Sequence, residues 1–304
     1  MSRHESPDSI EPTSRRLALL ACSLLAASTL LGCRGDQATL VDRLHEARRL
    51  TAEMRVQLSK GAEASNRAVM ADTDEASTTY AQEAELATRT SNEDTAALEA
   101  LLQGLRYSAE LEMLRDAKAR LAKYRELDAK ILKLAVENTN LKARALSFGA
   151  ASQAATQFGD ALRPLGAMAS AKERWRVEAL TSQARLGVRE IQLRYGPHIA
   201  ERDDAAMTRL EKEIAEHEAS VRASLKALAE AMPADARTPL AEAAGALDRL
   251  QAITHQIVEL SRRNSNVISL DLALRERPPL VAACDEQLRR LQDALAKEGK
   301  PVDR

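Results

Sequence analysis

Apolar and small residues recur along this chain at alternating spacings of four and three, the mark of one helical face turned toward other helices. Leu40, Leu44, Ala47, Thr51, Met54, Leu58, Gly61, Ser65 and Ala68 draw such a face on a helix from about residue 36 to 70. At 1.5 Å per residue it is on the order of 50 Å long. Asp72-Thr73-Asp74-Glu75 supplies acidic caps for a second helix that runs to about Arg106. Its seam is faint between Ala84 and Ala97, and Ser91-Asn92 is a candidate break. The third helix is the clearest: Leu114, Ala117, Leu121, Tyr124, Leu127, Ile131, Leu134, Asn138, Leu141, Ala145 and Phe148 keep the alternation until Gly149 ends or bends it. A fourth segment begins near Ala150 and carries Phe158, Leu162 and Leu165. Pro164 and Gly166 kink or restart it before the run to Ile199.

The second half repeats the first. Shifted by 126 residues, Leu114–Leu165 lies over Leu240–Leu291 with eleven identities in 52 pairs. Helices in phase match Leu to Leu at any multiple of seven, but phase alone does not place Asn138-Thr139-Asn140 over Asn264-Ser265-Asn266. Ala71–Glu75 similarly meets Ala200–Asp204 at a slightly different shift. The pattern predicts an all-α protein of two units, 37–165 and 166–297, followed by a tail over 298–304. Two helical hairpins per unit give two tandem antiparallel four-helix bundles, or else a six-helix bimodular body that shares helices between its layers.

Asn138 and Asn264 occupy seam positions where Leu or Ile is expected. A buried amide costs free energy unless it is hydrogen-bonded, and a single Asn in a seam often fixes register or oligomeric state. Both residues are therefore candidates for a register-setting polar contact or for the polar wall of a ligand pocket. Asn140 and Asn266 lie about 200° further round a continuous helix and would not share that face.

Composition narrows the chemistry. The chain holds 57 Ala and 43 Leu but only seven aromatic residues and eleven Gly, and no Pro falls between residues 13 and 163. Gly-rich phosphate loops and antiparallel sandwiches need turn residues it lacks. Charge is balanced, 44 basic against 45 acidic residues, with no block of one sign, so nothing suggests a nucleic-acid partner. Neither a Glu-x-x-His pair, a Cys-x-x-Cys-His haem site nor a Gly-x-Ser-x-Gly elbow occurs. Asp42 with His45, His217 with Glu213, and His255 with Glu259 read as ordinary same-face pairs. The sequence suggests no enzyme, no cofactor and no metal site.

The N-terminus reads as an address. Arg15 and Arg16 precede an apolar run from Leu17 to Leu31, too short for a span of about 20 residues and suited to a signal-peptide core or an uncleaved signal anchor. Leu30-Leu31-Gly32-Cys33 resembles a bacterial lipobox, which makes 1–32 a lipoprotein signal peptide, Cys33 the lipidated residue and 33–36 an anchor linker. Ser14-Arg15-Arg16 followed by apolar residues also resembles a twin-arginine signal without its usual aromatic. Arg34, where the enteric sorting rule would have Asp for inner-membrane retention, favours the outer membrane. Cys22 would leave with the signal and Cys33 would carry lipid. That leaves Cys284, on an apolar stripe, as a buried hydrophobe with no partner for an intramolecular disulfide.

Tyr124-Arg125-Glu126-Leu127-Asp128 through Glu137-Asn138-Thr139-Asn140-Leu141-Lys142-Ala143, ending Leu146-Ser147-Phe148-Gly149, resembles the third helix of bacterial chemoreceptor four-helix-bundle sensor domains. Ser261-Arg262-Arg263-Asn264-Ser265-Asn266-Val267 and His198–Asp204 are similar to second-copy segments of that family. The resemblance covers nearly all of the chain after the signal. It implies an extracytoplasmic, periplasm-facing sensor that receives a small molecule or a binding protein. Only nine residues follow Leu295, so no second span, relay helix or kinase-contacting coil is expected, and a signal would leave through a partner chemoreceptor or histidine kinase. Arg48, Arg49 and Arg55 do not reproduce the ligand-binding arginines of the aspartate-receptor type, so no ligand residue carries over. The alternative is a structural or adaptor lipoprotein of the cell envelope with no small-molecule ligand. A homodimer is compatible with either.

Overall fold

A computed structural model describes residues 13–298, with side chains from Thr39 onward. The expected signal peptide over 1–32, the linker over 33–36 and its lipidation site Cys33 lie outside the residues whose side chains are described, as does most of the tail. The described residues are 92% helical, and no strand occurs among them. Eleven α-helices follow in order: α1 (Thr13–Met70), α2 (Asp74–Leu105), α3 (Ser108–Glu137), α4 (Thr139–Phe148), α5 (Ala150–Leu162), α6 (Leu165–Met168), α7 (Arg174–Ala200), α8 (Asp204–Ala231), α9 (Arg237–Arg263), α10 (Ser265–Asp271) and α11 (Arg277–Lys297).

Local chemistry sets the boundaries. The Ala76 amide donates to Thr73 Oγ1 at 3.1 Å, and the Ala206 amide donates to Asp203 Oδ1 at 2.7 Å, so each side chain caps the helix behind it. Arg106 takes a left-handed φ of 62° in the turn between α2 and α3. Helix α2 runs unbroken through Ser91-Asn92, and Ser91 is buried, so the expected break there is absent. Between α10 and α11 the chain widens into a π turn over Leu272–Glu276. Pro278 and Pro279 lack the amides that would bond the carbonyls of Leu274 and Arg275, and a wider turn makes room for their rings.

The contacts divide the chain into two units, and α1, α2, α3 and α11 each contribute to both. One unit comprises the chain up to Leu58, Arg89–Leu121 and the stretch from Ala283 onward. Leu44, Ala47, Thr51, Met54 and Leu58 are buried here with Leu98, Leu102, Leu114, Ala117, Leu121, Cys284, Leu288 and Leu295, as the seam predicts, while Leu40 is exposed. Arg48 Nε and Nη2 donate to the carbonyls of Leu295 and Glu298 at 2.9 and 2.7 Å, and Arg55 grips Asp285 at 2.8 Å. Gln287 Nε2 donates to the Met113 carbonyl at 3.1 Å. These contacts seat α11 against α1 and α3.

The other unit comprises Ser59–Thr88 and Ala122–Ala282. One apolar cluster within it joins Ala68 and Val69 of α1, Ala81 and Ala84 of α2, Ile131 and Ala135 of α3, and Leu272 and Ala273 of the π turn. A larger cluster joins Ala143 of α4, Phe158 and Leu162 of α5, Val188 and Ile191 of α7, Val221 and Leu228 of α8, and Leu247 and Ile257 of α9.

Thus the fourth segment of each repeat is exchanged. Helices α4 and α5 follow α3 in the chain but pack with α7, α8 and α9, whereas α10 and α11 follow α9 but pack with α1, α2 and α3. The described clusters therefore interleave residues from the repeats over 37–165 and 166–297. The cause lies at Asn138 and Asn264, whose left-handed backbone (φ 49° and 52°) breaks each long helix and redirects it.

Helices α7 and α8 approach closely at Gly187, where an added Cβ would stand 2.5 Å from Val221 Cγ2. Val is stiff at χ1 in a helix and cannot swing clear. Gly187→Leu is expected to lower stability by about 1–3 kcal/mol through overpacking, net of improved helix propensity. A melting temperature equal to or above wild type would show that the two helices can separate freely.

Candidate functional site

The two matched tripeptides meet. Asn138 and Asn264 end α3 and α9, and the next residue of each starts a new helix, leaving amides at each N-terminus without intrahelical acceptors. Each terminus is capped by the other. The Thr139 amide donates to Ser265 Oγ at 3.0 Å, and the Ser265 amide donates to Thr139 Oγ1 at 3.0 Å. The Asn140 amide donates to Asn266 Oδ1 at 3.1 Å, and the Asn266 amide returns the bond to Asn140 Oδ1 at 3.2 Å. Asn140 Nδ2 then donates to Asn264 Oδ1, and Asn266 Nδ2 to Asn138 Oδ1, both at 2.9 Å. The pairing is a local two-fold: residue i meets j+126 as j meets i+126.

This corrects two sequence expectations. Helix α3 does not continue to Phe148, because Asn is among the few non-glycine residues that tolerate the left-handed region and both asparagines adopt it. Beyond that break Leu141 is half-buried and Phe148 exposed, while Thr139, Asn140 and Ala143 turn inward. Asn140 and Asn266 consequently do share a site with Asn138 and Asn264; the 200° separation held only for an unbroken helix. Asn138 and Asn264 are both buried.

The symmetry is imperfect where α7 ends. Asn264 Nδ2 donates to the Glu201 carbonyl and Asn140 Nδ2 to the Ile199 carbonyl, each at 2.7 Å. Asn138 Nδ2, the counterpart of Asn264 Nδ2, is buried with no hydrogen-bond partner. A polar chain leads outward from the same end of α7. Ser261 Oγ donates to the His198 carbonyl and lies 2.8 Å from His198 Nδ1, and His198 Nε2 lies 2.9 Å from Glu211 Oε1. Arg262 Nε donates to the same Glu211 oxygen at 2.6 Å. The Arg262 guanidinium, helped by His198, holds the Glu211 carboxyl below the ordinary range against the opposing effect of burial.

Glu211 forms one wall of a cleft of about 370 Å³ between α8 and α9, with Glu218, Thr254, His255 and Glu259 as its other polar groups and Ile214, Ala215 and Val258 as its apolar ones. Thr254 shares a buried 2.6 Å hydrogen bond with Tyr195, whose hydroxyl is pushed up to about 12 by burial. Glu218 accepts from Gln251 Nε2 at 3.2 Å, and burial pushes its carboxyl up more than His255 and Arg222 pull it down. The same-face pairs expected at His217 and His255 are replaced: Glu213 binds Arg194 and Glu259 binds Arg263, which leaves His255 facing the cleft.

A third polar group is buried where Ser65 of α1, Asp128 of α3 and Arg277 meet. Arg277 Nη1 donates to Asp128 Oδ1 at 3.1 Å and to Ser65 Oγ at 2.5 Å, and Ser65 donates to Asp128 at 2.7 Å. Arg277 also donates to Asn66 Oδ1. The Arg277 and Asp128 side chains are only 3% and 4% exposed. Sequence reasoning missed this pair, because the seam read through Leu127 left Asp128 beside it as an ordinary surface charge.

No cluster of residues suited to a metal occurs among the described residues, and no helix there is long and apolar enough to cross a membrane. No family model matches the chain, and comparison with curated proteins finds no match.

Proposed function

We propose that this chain is a lipid-anchored, periplasm-facing sensor of chemoreceptor type, held through Cys33 to the outer membrane and signalling through a partner chemoreceptor or histidine kinase. One observation carries the sensing part: the cleft between α8 and α9 is wired to the helix junction. Glu211 in its wall holds His198, and the next turn of that backbone supplies the carbonyls that bind Asn140 and Asn264. An occupant that draws charge away from Glu211 loosens the seat of α7 on the junction.

The cleft suits a compact organic cation. The Glu218 carboxylate is half-buried, accepts a hydrogen bond from the Gln251 amide, and feels burial more than the pull of His255 and Arg222, so a positive group in the cleft favours its charged form. Ile214 and Val258 accommodate an aliphatic stem. Putrescine is expected to raise the melting temperature of the wild type and leave Glu218→Gln unmoved, with binding stronger above the raised pKa of Glu218 than below it. Calorimetric titration across that pH range decides the matter. No heat and no stabilisation with putrescine, alongside unchanged cross-linking to envelope components, would favour the structural or adaptor lipoprotein instead.

A further inference from the structure

We propose that the outward face of α7 docks a helix of a partner protein, one whose apolar seam is bordered along one side by acidic residues. Two apolar stripes run along α7. Val177, Ala184, Val188, Ile191, Tyr195 and His198 form the buried one. At about 100° per residue, Trp175, Leu186 and Leu193 lie within about 20° of one another and roughly opposite that stripe. They are 73%, 60% and 54% exposed. Ala179, Ser182, Arg189, Gly196 and Ala200 fill the positions between and beyond them, all exposed. The outer stripe thus keeps alternating spacings of four and three from 175 to 200, a length of about 38 Å. A helix on the surface of a bundle needs one apolar stripe, and a second one opposite marks a helix made to lie between two layers. The chain's single tryptophan stands at the start of that second stripe.

Charge defines the occupant. Along one border of the stripe Arg174, Arg185 and Arg189 are exposed and make no ion pair among the described residues, with Glu178 the acid on that side. Arg185 donates to the Gly159 carbonyl at 2.6 Å. Across a shallow cleft from Arg185 and Arg189, α5 offers Ser152, Ala155, Thr156 and Gly159, none of them charged. On the other border the charges are satisfied: Arg194 binds Glu190 and Glu213, and Arg176 binds Glu173. The unmet positive charge therefore lies along one edge only. A helix with carboxylates on the matching edge pairs with it while its seam covers Trp175, Leu186 and Leu193. Such a helix runs along the back of the element whose last turn supplies the Ile199 carbonyl to Asn140. The surface stands independently of the α8–α9 cleft, since no cation need bind there for a helix to dock.

The probe is a synthetic, tryptophan-free helical peptide of about four heptads, with Leu in its seam and Glu along one border, titrated into the full chain. Because Trp175 is the only tryptophan, its emission reads this face alone. Saturation with the peptide is expected to shift that emission to the blue. Leu186→Glu/Leu193→Glu is expected to weaken binding about tenfold or more by calorimetry, with helicity and melting temperature unchanged because both side chains are exposed. A companion peptide with Lys in place of Glu should bind wild type about tenfold more weakly, and Arg185→Glu/Arg189→Glu should reverse the preference. Should the leucine variant melt early, the charge reversal decides alone. No blue shift with the Glu peptide, equal binding of the two peptides, or undiminished binding by a well-folded leucine variant overturns the proposal. So does a blue shift on concentrating the protein alone, which makes the occupant a second copy, or on adding phosphatidylglycerol vesicles, which makes it a membrane.

Discussion

Asp128→Ala is expected to cost about 3–5 kcal/mol of stability, because it leaves the Arg277 guanidinium buried without a counter-charge. The neighbours that remain, Ser65 and Asn66, accept hydrogen bonds but carry no charge. Replacing both members together, as Asp128→Leu/Arg277→Met, is expected to recover most of the loss or exceed wild type, since an apolar pair avoids desolvating two ions. Denaturant midpoints for Asp128→Leu, Arg277→Met and the double variant close the cycle. A loss under about 1 kcal/mol in Asp128→Ala would mean that water reaches the pair. Titration gives a second handle. Burial pushes the Asp128 carboxyl up, outweighing Ser65 and Arg277, which pull it down. A carboxyl raised in the folded state binds its proton more tightly there than in the unfolded chain. Its contribution to stability therefore falls as pH rises from the ordinary carboxylate range through the folded value. Asp128→Asn should flatten that part of the stability profile, which urea melts at a series of pH values will show.

Ser265→Ala is expected to cost about 1–3 kcal/mol, since it strands the buried Thr139 amide. Thr139→Val strands the Ser265 amide in the same way. Making both changes removes two acceptors that also bond each other at 3.1 Å, so the effects should not add. A double-mutant cycle is expected to return a coupling of about 0.5–3 kcal/mol. Strict additivity would indicate that each helix start finds water as readily as its partner's hydroxyl. Amide exchange at Thr139 and Ser265 offers an independent check, because either substitution should accelerate exchange at the opposite helix.

The all-helical class was legible because the spacing of Leu44, Met54, Leu114 and Leu121 is a direct record of a buried face. So were the repetition of Asn-Thr-Asn as Asn-Ser-Asn and the need of a buried seam amide at Asn138 and Asn264 for a partner, but not that the two segments meet each other. What the spacing could not convey was backbone conformation. The alternation runs straight through Asn138 to Phe148, and nothing in periodicity distinguishes an asparagine in a right-handed helix from one in the left-handed region. Everything that depends on that single torsion was hidden with it: the inward turn of Asn140, the exposure of Phe148 and the exchange of α4 and α5. The α8–α9 cleft was hidden for another reason. Its lining comes from two helices whose contributions lie far apart in the sequence, and Glu218 reads as one more surface acid.

Exchange of the last segment also fixes an order of events during synthesis. Arg48 bonds carbonyls 247 and 250 residues further along, so the groove between the first three helices stays open until the final turns of α11 exist. At translation rates of about 5–20 residues per second, the interval between completing α3 and completing α11 is on the order of ten to thirty seconds. Helices α7 and α8, adjacent in the chain, can meet as soon as both have emerged, and such local pairings form fast. The nascent chain thus carries a slow, late-closing end beside a quick one. Postponing closure until the last residues arrive makes the chain a client of whatever binds open apolar grooves in the meantime.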